Sequence, residues 1–172
     1  GTTNMLNRWT QTEEAKSDPD FAPQKVFDII GYGKIASSPV EAMPLKFLLK
    51  KDKSVMNRNK LLSVSEDLIN EKKSGYKPPK KPIFRLSGSQ VRDKMFQTLE
   101  KLFKEKKILE HGVEVGKKLA FVLSGGNTTI DKELSEDDMF ALELEVFIQL
   151  IQMEKTQARI KHTLLTGKPL VN

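Results

Sequence analysis

The 172 residues hold no cysteine, 29 Lys and Arg against 23 Asp and Glu, and 38% hydrophobic side chains, for a formal charge of +6. This length suggests one domain, or one domain with a tail, and it leaves no room for a disulfide framework, a thiolate zinc site or a cysteine nucleophile. No apolar run approaches the ~18–20 residues of a membrane span, and no basic stretch followed by an apolar one opens the chain.

The spacing of Met5, Leu6 and Trp9 predicts a helix over residues 2–15, ended by Ser17-Asp18-Pro19-Asp20, with Trp9 as a core anchor. A second short helix is expected to open at Pro23, whose missing N–H costs nothing in a first turn, and to carry Val26, Phe27, Ile29 and Ile30 up to Gly31 and Gly33. Ser38, with Glu41 three residues on, has the form of a cap for a one-turn helix that Pro44 interrupts. Residues 53–57 are expected to form one brief extended segment. Asn57 or Asn59 then caps a long helix with Leu61, Leu62, Val64, Leu68 and Ile69, closed by Gly75.

Lys77-Pro78-Pro79-Lys80-Lys81-Pro82 reads as a linker, because three prolines hold an extended backbone. Beyond it, Ser89 is placed to cap a helix with Val91, Met95, Phe96, Leu99, Leu102 and Phe103 on one face and lysines on the other. A helix over 108–123 follows, ending at Gly125-Gly126, where the lack of Cβ suits a left-handed cap. Ser135-Glu136-Asp137-Asp138 places acids in the first turn of the next helix, favourable toward its dipole. That helix is apolar around most of its circumference, from Met139 to Ile151, which predicts a central position. A last helix spans 156–165, stopped by Gly167 and Pro169. The fold class read from this pattern is all-α, a bundle of several short helices, divided into 1–76, a linker at 77–85, and a C-terminal bundle at 86–172.

Of the 29 basic residues, 20 lie within 45–118 together with 9 acids. Such a run suits phosphate backbones, but it is mostly Lys, with Arg58, Arg85 and Arg92 the exceptions, and it alternates with apolar residues as a solvated helix face does. Nucleic acid is therefore disfavoured as a partner, although a basic module for an acidic partner stays as the alternative. The lysines around 72–81 equally suit a phosphate-bearing small molecule.

Candidate chemistry is thin. His111 and His162 each lack an i, i+4 partner for a metal, and Ser124-Gly125-Gly126-Asn127-Thr128-Thr129 lacks the Lys of a phosphate loop. Glu143 and Glu145 fall in the most apolar helix, where desolvation favours acid/base work. Two positions apart, however, they point to different faces, and one of them is expected to pair with Arg159 or Lys155. No catalytic, cofactor-binding or metal residue is assigned on these grounds.

Gly33-Lys34-Ile35-Ala36-Ser37-Ser38-Pro39-Val40-Glu41-Ala42, followed by Leu45-Lys46-Phe47-Leu48, resembles the end of a crotonase-like domain, and Gly1-Thr2-Thr3 resembles the tail of that fold's Gly-Gly-Thr. Met56-Asn57-Arg58-Asn59-Lys60-Leu61-Leu62, Gly75-Tyr76-Lys77-Pro78-Pro79, Leu123-Ser124-Gly125-Gly126, Glu143-Leu144-Glu145-Val146-Phe147, Lys155-Thr156-Gln157-Ala158-Arg159-Ile160 and the terminal Gly167-Lys168-Pro169-Leu170-Val171-Asn172 resemble, in order, the C-terminal part of bacterial multifunctional 3-hydroxyacyl-CoA dehydrogenases with an enoyl-CoA hydratase region. Leu144 and Val171 depart from that pattern, which has basic residues there. The resemblance implies a non-catalytic, C-terminal piece of a cytoplasmic fatty-acid β-oxidation enzyme, lacking activity by itself. NAD and a CoA thioester would belong to the parent, and the partners would be the upstream dehydrogenase and hydratase regions. It also implies packing, oligomer contacts and possible contacts to CoA.

Overall fold

The computed structural model describes residues 1–172 and contains nine α-helices and two three-residue strands. The all-α expectation holds, and no helix is long and apolar enough to cross a membrane. The extended segment expected at 53–57 is not a strand. The two strands are β1 (Ile83–Arg85) and β2 (Glu133–Ser135), paired antiparallel with Phe84 opposite Leu134. Three residues are too few to show an alternation in sequence, and what defines the strands is the partner some 50 residues away.

The chain forms two compact units, Gly1–Lys34 with Pro82–Asn172, and Ile35–Lys81. This division differs from the one expected. The Pro/Lys-rich stretch does close the second unit, but residues 1–34 share their core with 82–172 instead of continuing into 35–76. The reason lies in the buried stripes of the N-terminal helices.

In the larger unit, α1 (Thr2–Thr10), α2 (Glu13–Ser17) and α3 (Phe21–Gly31) pack with α6 (Ser89–Lys104), α7 (Glu110–Leu123), α8 (Glu136–Ile151) and α9 (Glu154–Thr166), while α4 (Pro39–Ala42) and α5 (Leu61–Lys72) belong to the smaller one. Leu6 and Trp9 of α1 and Val26, Phe27 and Ile29 of α3 are buried, as are Val91, Met95 and Leu99 of α6 and Ala120, Val122 and Leu123 of α7. Leu6 and Trp9, and Val91, Met95 and Leu99, follow the 3–4 residue spacing of one helix face. Thr12 accepts from the Ala15 amide to start α2 separately from α1, so the expected 2–15 helix is two.

A buried carboxylate helps tie the two sequence segments of this unit together. Asp20, 3% exposed, precedes α3, yet its carboxylate makes no cap there. It reaches α6 instead, accepting from Lys94 Nζ at 2.8 Å, from Gln90 Nε2 at 3.4 Å and from the Ser87 hydroxyl. Burial pushes this carboxyl up. The hydrogen bonds from Lys94, Ser87 and Gln90, together with the Lys94 charge, outweigh that and hold it below its ordinary value.

Glycine closes the strand pair. Gly88, at φ +62°, begins α6 where a Cβ would overlap the Thr128 carbonyl oxygen, and Gly125, at φ +80°, leaves no room for a Cβ beside Leu134. The Gly125-Gly126 turn is thus shaped by packing. On the far side, Ser135 and Asp138 form a reciprocal capping box at the start of α8.

The smaller unit is built mainly by local chemistry. Ser38 accepts from the Glu41 amide, Ser37 donates to Glu41, and Asn57 opens a 3₁₀ turn (Arg58–Lys60) that runs into α5. Ala42 is its buried apolar side chain, and α5 buries none.

Asp20→Ala should lower the unfolding free energy by about 1–3 kcal/mol, since it removes the charged acceptor shared by Ser87, Gln90 and Lys94. In the parent protein, stability due to Asp20 is present above the unfolded pKa of about 3.9 and drains as pH falls through its lower folded value. Urea unfolding of parent and Asp20→Asn across pH 2–6 should show an acid slope that is smaller in the variant, and equal slopes would remove this role. Gly88→Ala should destabilise more than Gly75→Ala, since both sit at positive φ but only Gly88 faces backbone within contact distance.

Candidate functional site

The residues with candidate chemistry are dispersed, and each is engaged in holding helices together. Glu143 lies on α8 facing the start of α1. Its Oε1 accepts from the Thr3 amide at 2.8 Å and from the Thr3 hydroxyl at 2.6 Å. A helix start exposes unpaired amides and positive partial charge, and Glu143 supplies both an acceptor and a negative charge to α1 from across the fold. Glu145 points away, as the two-residue spacing requires, and accepts from Gln149 Nε2 at 3.1 Å.

The expected ion pair from these glutamates to Arg159 or Lys155 does not form. Arg159 of α9 turns to the C-terminal residue, donating Nε to Asn172 Oδ1 at 2.7 Å and Nη2 to its backbone oxygen at 3.2 Å. Lys155 stands 3.8 Å from Glu110. The chain end folds back over the first turns of α9, a contact between residues 13 apart that periodicity does not reveal.

His111 is buried in the first turn of α7, with Nε2 2.9 Å from the Thr156 hydroxyl of α9. Burial, then the positive charges of Arg159 and Lys155, lower its pKa below the ordinary imidazole value. The ring is therefore neutral at pH 7 and serves as a hydrogen-bonded spacer between two helices. His162 lies further along α9. No group of three or more His, Asp or Glu side chains stands where it would hold a metal.

Two apolar depressions flank this framework. One, of about 510 Å³, runs between α7 and α8, with Thr2, Ile30, Leu119 and Val122 on one side, Phe140, Leu144 and Phe147 on the other, and Glu143 as its polar member. The expectation of a central α8 fails here. Only Met139 and Val146 of that helix are buried, while Leu144 and Phe147 remain 59% and 58% exposed and Phe140 and Ile148 are also open. The helix has one face on α7, while Phe140, Leu144, Phe147 and Ile148 on another stay largely open. The other depression, of about 540 Å³, lies between α3, α6 and α7 with Arg159 and Lys107 at its edge. Sequence reading missed it and missed Asp20. The signal available in advance was Gly112, a glycine early in a helical pattern.

Across 156 residues, 90% of its length, the chain is 31% identical to the probable 3-hydroxyacyl-CoA dehydrogenase of Bacillus subtilis (strain 168). It spans about a fifth (20%) of that relative. No family model matches the chain, and no solved structure matches it. The Gly125-Gly126 turn is filled by Leu134, Thr128 and Leu142.

Because His111 is harder to protonate folded than unfolded, the folded state should lose stability as pH drops below about 6.5, through the window down to its lowered folded value. The His111 Hε1 resonance should titrate with a midpoint below 6.5, and His111→Leu should flatten the stability profile between pH 7 and 5. A midpoint at or above 6.5 would contradict the buried, neutral ring. Replacing Thr3 by Val and Glu143 by Leu should each cost about 1 kcal/mol, with the double variant costing less than the sum.

Proposed function

We propose that this chain is a non-catalytic, helical C-terminal region of a cytoplasmic 3-hydroxyacyl-CoA dehydrogenase, attached to the rest of the enzyme through the open face of α8. The observation that carries the reading is that face. Phe140, Leu144, Phe147 and Ile148 are exposed in a helix whose other side is already packed, and contiguous apolar surface of this kind marks a place where another surface fits. The similarity to a fifth of a dehydrogenase supplies the partner class. The chemistry of the site agrees, since Glu143, Glu145 and His111 are all spent on internal hydrogen bonds. The same face also suits an oligomer contact. A crotonase-like role for residues 1–76 is the least supported part of the reading, because the Bacillus protein's name carries the dehydrogenase alone.

The charge has its own distribution. The larger unit holds 18 basic and 18 acidic residues, and the smaller holds 11 basic and 5 acidic, so the net +6 resides entirely in Ile35–Lys81. In this proposal that segment serves contacts to the phosphates of CoA. The same observation favours a second reading, a basic helical module for an acidic partner or nucleic acid.

The chain alone should reduce no NAD with 3-hydroxybutyryl-CoA, while the remaining part of the dehydrogenase, expressed separately, should bind it. Burying one large apolar side chain contributes about 1.5–3 kcal/mol, so Phe147→Glu should weaken that association by about tenfold to a hundredfold. Turnover by the chain alone, or association untouched by Phe147→Glu and Leu144→Glu, would reject the proposal. Binding to duplex nucleic acid that falls steeply between 50 and 200 mM salt would select the second reading.

A further inference from the structure

The depression between α3, α6 and α7 has features that packing alone does not account for. Its walls are apolar, with Phe27 from α3, Leu99 and Leu102 from α6, and Ile108, Val115 and Leu119 from or beside α7. At about 540 Å³ it falls within the about 300–1,000 Å³ of pockets that enclose small molecules.

Two glycines one turn apart, Gly112 and Gly116, lie along its floor. They differ in what they accommodate. A Cβ on Gly116 would come within 2.5 Å of Leu99 Cδ2, so there the protein's own side chain occupies the hollow. A Cβ on Gly112 would meet only the Ile108 Cβ, at 3.5 Å, an ordinary contact. Gly112 also has no positive φ. Neither backbone conformation nor a neighbouring atom calls for glycine at this position, and glycine is a poor helix residue. What its missing side chain preserves is the open space of the pocket.

The polar lining holds two cations, Arg159 and Lys107, beside Tyr32 and Thr98. Arg159 contributes there, and Asn172 takes only two of its five N–H donors. Lys107 contributes as well, with Glu105 2.7 Å away. An apolar cleft with a guanidinium and an ammonium at its mouth complements a molecule that is apolar along its body and negative at one end.

We propose that the α3–α6–α7 pocket binds a small amphiphilic anion, with its apolar part lying over Gly112 and its carboxylate or sulfonate at Arg159 and Lys107. This goes beyond the packing role proposed above and does not depend on it. The shared chemistry admits a linear or an aromatic body, and the two are separated by the probes.

The test is a titration of the chain with dodecanoate, with 1-dodecanol as the uncharged counterpart, and with the aromatic sulfonate 8-anilinonaphthalene-1-sulfonate, followed by calorimetry and fluorescence. Saturable one-site binding of dodecanoate or of the sulfonate is expected, and whichever binds identifies the body. Gly112→Leu should weaken that binding at least tenfold while its melting temperature stays at or above the parent's, because leucine is the better helix former. Gly112→Ala, which adds a single carbon, should melt at or above the parent and bind less tightly. Arg159→Gln should weaken the anion several-fold and leave dodecanol unaffected. The proposal is overturned if neither anion binds, if Gly112→Leu is folded and binds as the parent does, or if dodecanol binds as tightly as dodecanoate. Binding lost in Phe147→Glu but kept in Gly112→Leu would place the ligand on α8 and overturn it equally.

Discussion

Asp20 is the interaction on which the larger unit depends. A carboxylate removed from water is costly unless its oxygens are hydrogen-bonded and its charge is met. Here Ser87, Gln90 and Lys94 meet both needs from the loop and first turns of α6. The donors come from a segment that lies beyond Ile35–Lys81 in the chain, so satisfying the carboxylate requires the N-terminal helices and the C-terminal bundle to be one body. Nonpolar burial of Trp9, Val26 and Phe27 supplies most of the driving force, but it is non-directional. The carboxylate fixes which turn of α6 faces which end of α3.

That fixed registry sets the two depressions. With α3 held against α6, the glycines of α7 face a gap that Leu99 fills at one turn and leaves open at the next. On the opposite side, Glu143 holds the start of α1 against α8 and thereby turns one apolar stripe of α8 inward while the other stays outside. The same scaffold thus produces a partly open pocket lined by two cations and an open apolar face. The first suits a small molecule and the second a protein surface, and each follows from a polar anchor placed a helix away.

The local layer of the structure was largely readable in advance. Helix starts at Ser38 and Ser135, the stops at Gly33, Gly125 and Gly167, and the buried faces of α1, α3 and α6 all match their side-chain chemistry. Other features were not. Thr12 splits the first helix because its hydroxyl accepts from Ala15, an arrangement that competes closely with helix continuation. The strands at 83–85 and 133–135 exist only as a pair. The resemblance from Met56 to Asn172 pointed to a dehydrogenase, in agreement with the similarity to the Bacillus protein, while Asp20 carried no motif by which to be singled out.

The amino-acid order by itself determined the all-helical class, the caps at Ser38, Asn57 and Ser135 though not the one expected at Ser89, and the location of most turns, because these depend on groups within one or two turns of each other. It also placed the positive excess in the middle of the chain. Only the tertiary structure decided that residues 1–34 join 82–172, that α8 lies at an edge with half its apolar surface open, and that Arg159 answers Asn172 instead of Glu143 or Glu145. An apolar stripe or a charge is complementary to many partners, and which one it meets is settled when distant segments pack and their buried polar groups have to be satisfied together.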